Sequence, residues 1–173
     1  MERYSSHRKE IPVNNEEMIT GFCLDQIRTA QKWFNTAAVT LLLLFLATGR
    51  TVVFQLKEIP FLNVTSDSPV NVTAAGLILV FGCGVCACIN LLRALSFFKK
   101  IENNGIKSTM VQVPVLIMGN LLVKGVIAFI LFELIGAIFL DGIAVKGMRF
   151  FIRTVLIWSP FAAALVLAHK IRI

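Results

Sequence analysis

Residues 72–92 read VTAAGLILVFGCGVCACINLL, a run of 21 residues without a single charge. At about 1.5 Å of rise per residue, a helix of that length covers about 30 Å, the depth of a bilayer's hydrocarbon core. The run also holds three cysteines, Cys83, Cys86 and Cys88, so its setting decides whether they bind a metal or pack. A structural zinc site needs four Cys or His ligands converging on one point. On a helix Cys86 and Cys88 point about 200° apart, so the three thiols cannot meet at one ion. The histidines, His7 and His169, lie outside the apolar runs. Read instead as small residues, they form rows at every fourth position: Gly76, Val80, Gly84 and Cys88, and beside them Gly82, Cys86, Asn90 and Ala94. Small residues at that spacing let helices approach closely, and Asn90 is placed to hydrogen-bond to a neighbouring helix. We expect Gly82, Gly84, Cys86 and Cys88 to form a packing face.

The rest of the chain agrees with a membrane setting. It is 57% hydrophobic and 16% charged, against about half and a quarter in a soluble domain. Further apolar runs predict spans near 33–53, 116–139 and 150–168. The first run follows a polar segment and lacks the short basic leader and cleavage site of a signal peptide, so it should remain as an anchor. The expected fold is all-α: a polytopic membrane protein with four transmembrane helices in residues 33–173. Residues 1–15 read as a mobile tail. In 16–32 an apolar stripe (Ile19, Phe22, Cys23, Ile27, Ala30) predicts an amphipathic helix, lying at the membrane surface or packing on a partner or on the protein's own loops. The second helix should run past the membrane through RALSFFKKIE and stop at NNG, with Gly105 as its cap. The segment 108–140 exceeds one span, so STMVQVPV is read as an interfacial lead-in, with a re-entrant piece as the alternative. Pro160 should free a carbonyl and bend the fourth span.

Basic residues orient these spans. Arg3, Arg8, Lys9, Arg28, Lys32, Arg93, Lys99, Lys100, Lys107, Lys170 and Arg172 fall on one side. Arg50, Lys57, Lys146, Arg149 and Arg153 fall on the other. The excess places both termini in the cytoplasm, and Arg93, Lys99, Lys100 and Lys107 become candidate contacts to anionic lipid or a cytoplasmic partner. The net charge of +7 is explained this way without direct nucleic-acid binding. Two sequons, at Asn63 and Asn71, are close to the one expected by chance among nine asparagines.

Lys124 and Glu133 carry the strongest functional hint. An ionisable group deep in a span costs about 2.5–3.5 kcal/mol on insertion scales, so each should face protein or water. Nine residues of helix separate them by about 13 Å and about 180°, which prevents pairing within one helix. Asn120, one turn earlier, is a local hydrogen-bond candidate for Lys124. Catalytic constellations, haem or metal ligand sets and phosphate-cradling loops are missing from the sequence, so neither an enzyme nor a cofactor is expected. A proton-coupled transporter is the weakest of three function classes, since four helices show no internal repeat and no broken-helix pair, and two stand above it. One is a homo-oligomeric membrane subunit that senses or anchors and couples to a soluble cytoplasmic partner. The other is a homo-oligomeric channel using Lys124 and Glu133.

WFNTAAVTLLLLFLATG (33–49) lacks the acid of small multidrug transporters, and LKEIPFLNVTSDSPVN (56–71) lacks the cysteine pairs of tetraspanins and claudins. In size and four-span layout the chain resembles the membrane component of the bacterial Kiwa anti-phage system. That resemblance implies a homo-oligomeric inner-membrane sensor of phage infection with a soluble effector that touches nucleic acid.

Overall fold

The computed structural model describes residues 13–48, 58–59, 64–65, 69–111, 116–142 and 148–172. Residues 1–12, the span end 49–53, Asn63 and Pro114 lie outside them. Five α-helices follow in order: α1 (Val13–Thr48), α2 (Pro69–Phe98), α3 (Asn104–Val111), α4 (Leu121–Gly142) and α5 (Met148–Arg172). A two-residue antiparallel ladder pairs Glu58–Ile59 (β1) with Val64–Thr65 (β2), and a 3-10 turn at Leu116–Met118 precedes α4. Four of the helices, α1, α2, α4 and α5, contain stretches long and apolar enough to cross a bilayer, the shortest being the 18 residues Leu121–Ile138.

These four pack as a bundle in which α1 lies on α2, α2 on α5, α5 on α4, and α4 returns to α1. Their directions follow from individual contacts. Cys23 Sγ donates to the Ala94 carbonyl at 3.3 Å, and Gly76 abuts Leu44, so α1 and α2 run antiparallel. Trp158 Nε1 donates to the Ala128 carbonyl at 2.9 Å and Gly136 abuts Phe150, so α4 and α5 do likewise. One end of the bundle therefore gathers the start of α1, the end of α2, the start of α4 and the end of α5. In the middle, Phe34 and Phe161 meet edge to face across the bundle with centroids 5.2 Å apart, an arrangement the ring quadrupoles favour.

The segment 16–32 packs on the protein itself, as in the alternative to a surface helix, though on helices and not on loops. It is the first half of α1, which runs 36 residues without a break. Of its stripe, Cys23, Ile27 and Ala30 are fully buried and continue through Phe34, Ala37 and Leu41, whereas Ile19 is half-buried and Phe22 is exposed with its ring stacked on Phe97. The apolar face thus covers the protein's own helices. The helix also starts earlier than expected, at Val13.

The turn after α2 corrects a second expectation. Lys100 and Ile101 donate to carbonyls three residues back, Phe97 and Phe98, which tightens and ends the helix. Asn103 Oδ1 then accepts from the Gly105 N–H at 2.9 Å and caps α3. Gly105 opens a helix; it does not close one. The lead-in to α4 contains this short helix, α3, through Val111.

Pro160 cannot donate to Leu156, and the orphaned Leu156 carbonyl is taken by Ser159 Oγ at 2.9 Å. The Pro160 carbonyl in turn accepts from Cys88 Sγ at 3.1 Å. Both main-chain oxygens at the proline are satisfied, so α5 remains one helix.

Candidate functional site

Two places collect the residues singled out from the sequence: the α2 packing row and the charged end of the bundle. Of the small-residue rows, the first packs. Val80 is fully buried, and a Cβ built on Gly84 would come within 2.9 Å of Phe161 Cε2 and 3.0 Å of Pro160 Cβ. Cys88 adds its bond to Pro160, and Cys83 is buried beside the row. The second row splits. Gly82 is exposed with nothing within 4 Å of a built Cβ, Cys86 is half-buried, and only Ala94 is fully buried. Every fourth residue advances about 400° round a helix, so a row drifts about 40° per step and twelve residues turn it about 120°. Asn90 is likewise corrected: its Nδ2 donates to the Cys86 carbonyl of its own helix at 2.7 Å, not to a neighbour. All four cysteines are free thiols. Among the described residues, no group of three or more His, Cys, Asp or Glu could hold a metal ion.

Lys124 sits in the first turn of α4 and is 3% exposed. Asn120 serves the backbone and not the Lys124 ammonium. Its Oδ1 accepts from the Val123 N–H at 2.9 Å and its carbonyl from the Lys124 N–H at 3.1 Å, a helix cap. Replacing Asn120 with alanine is expected to cost about 1 kcal/mol and to speed hydrogen exchange at Val123. Exchange followed by mass spectrometry on the α4 peptide checks it. Glu133 lies on the opposite side of α4 and is exposed, as the spacing requires. The two charges therefore share no space within the chain.

The basic end carries Arg93, Lys99 and Lys100 exposed and Lys107 half-buried. Lys100 Nζ stands 5.9 Å from the Phe97 centroid and Lys107 Nζ 5.6 Å from that of Phe98, contacts that hold the ammonium groups over aromatic faces. Phe97 in turn stacks on Phe22 at 6.0 Å, tying this surface to α1. Arg28 and Lys32 are exposed on α1, and Lys170 on α5, at the same end.

Gln31 escaped the sequence reading. Its Oε1 accepts from the Ile117 N–H at 3.0 Å and its Nε2 donates to Asn35 Oδ1, which pins the 3-10 turn to α1. Nearby in sequence, Gln26 Oε1 is buried without a hydrogen-bond partner among the described residues, as is His169 Nδ1 on α5. No protein family, curated protein or solved structure matches this chain.

Proposed function

We propose that this chain is an integral membrane subunit that assembles with copies of itself, senses or anchors at the membrane, and couples to a soluble cytoplasmic protein. The observation that carries this reading is the basic end. There the first half of α1 and the end of α2 project as packed, charged helix beyond the most apolar runs, locked together by Cys23–Ala94 and Phe22–Phe97. The excess of Lys and Arg at that end matches a cytoplasmic face, with both termini inside. Arg93, Lys99, Lys100 and Lys107 form the surface offered to the partner or to anionic headgroups. The bacterial inner membrane and anti-phage defence are the setting that the resemblance in layout implies. No catalytic step and no cofactor enters the reading.

Charge reversal of all four residues (R93E, K99E, K100E and K107E) tests the surface. The expected result is loss of the soluble protein that co-purifies with the wild type in mild detergent, while R93E and K99E, at the two exposed positions without an aromatic contact, each leave stability unchanged within about 0.5 kcal/mol. A companion that stays bound overturns this surface. The second reading, a homo-oligomeric channel, is favoured by the burial of Lys124 inside the bundle. Against it stands the separation of Lys124 and Glu133 on opposite sides of α4.

A further inference from the structure

The outer face of α4 presents Leu122, Val126, Phe129 and Ile130, all exposed, and among them the exposed carboxylate of Glu133. Among the described residues, no cation of the same chain lies within ion-pair distance of it. In water such a carboxylate needs no partner; on an apolar face inside a bilayer it does. Among the described residues, the exposed cation at the matching height is Arg153. Each step along α4 is matched by an opposite step along α5, and Ala128–Trp158 and Gly136–Phe150 fix one register. That register sets Glu133 level with Arg153. The two point from different sides of the α4–α5 pair. Arg153 is seven residues before Pro160, hence on nearly the same row of α5, and Pro160 lies against α2. Glu133 shares its row with Val126 and Leu122, away from the Ala128 and Phe132 side that meets Trp158. A charge on each of two different faces, at one height, cannot close within the chain.

We propose that Glu133 of one copy pairs with Arg153 of the next, so that this chain forms a ring about an axis parallel to its helices. Copies inserted in one orientation share one depth, so residues level within a chain are level between chains. A contact between two unlike faces repeats head to tail and closes by rotation. Lys124 is excluded as the partner because it is buried on the other side of α4, and Arg149 lies one turn nearer the start of α5, off the level of Glu133. The proposal rests on the reading of the chain as an embedded homo-oligomer and adds the residues that join its copies.

The test uses the full chain, extracted from membranes and reconstituted in nanodiscs, with particle mass as the readout. E133R alone and R153E alone are each expected to reduce the assembly to smaller species, and the double exchange to restore the wild-type mass. A second measurement covers variants that fail to fold. Chains with E133C and chains with R153C, carrying different tags, are co-expressed and oxidised. A disulfide between the two kinds of chain, with none between two chains that both carry E133C, is the expected product. An unchanged mass in both single reversals, or absence of the mixed disulfide, overturns the pairing. Alkaline carbonate extraction separates the two failures. Protein that resists extraction and is oligomeric, yet indifferent to both charges, overturns the pair and leaves the membrane-subunit reading standing; protein released by carbonate overturns both.

Discussion

Replacing Phe161 with alanine is expected to lower the stability of the bundle by about 3 kcal/mol, the usual cost of emptying a fully buried aromatic site. Phe161 has no exposed surface, meets Phe34 edge to face, and lies under Gly84. It touches α1, α2 and its own helix at one height, so the cavity would open where three helices meet and none could collapse into it alone. The midpoint of unfolding in mixed micelles reads the loss. Phe129→Ala, a change of the same size on the outer face of α4, should change the stability of the isolated chain by less than about 0.5 kcal/mol. Equal effects from the two would mean that Phe161 is not at the centre of the packing.

The second large effect is expected at Gly84. A leucine there must place its Cβ within 2.9 Å of the Phe161 ring and 3.0 Å of Pro160 Cβ. Neither neighbour yields easily, since one is a buried ring and the other a ring closed on the backbone. Gly84→Leu should therefore cost about 2–3 kcal/mol or separate α2 from α5. Gly82→Leu, two residues away and facing open space, should leave the isolated chain's unfolding midpoint nearly unchanged. At Gly76 the neighbouring atoms are the Cδ and Cγ atoms of Leu44, a side chain whose far end can swing aside, so Gly76→Ala should fall between them.

What could be read ahead of the structure followed from period and charge. The four apolar helices were legible because apolar runs of near-spanning length with so few charges are rare in any other setting. The opposite facing of Lys124 and Glu133 was legible because nine residues fix about 180°. Gly84 and Cys88 were legible as packing positions, whereas Gly82 was not. Small size at every fourth residue says nothing of where a drifting row leaves the interface. The stripe of α1 has the same sequence signature whether it covers lipid or another helix, so its partner, α2, could not be named. Asn90 and Asn120 were recognised as polar anchors, but both bond locally, to the Cys86 carbonyl and the Val123 N–H. A short amide side chain reaches its own backbone before it reaches a neighbour. Gln31 had no local signal at all: it serves a backbone N–H 86 residues away.

The uninterrupted course of α1 has a mechanical consequence. At about 1.5 Å per residue its 36 residues make a rod of about 54 Å, holding no proline and one glycine, Gly21. A rod of that kind has no joint at which rotation or sliding can be absorbed. A twist or a piston stroke imposed near Leu44 is delivered near Cys23 at full amplitude, and α2, clamped to it at both places, must move with it.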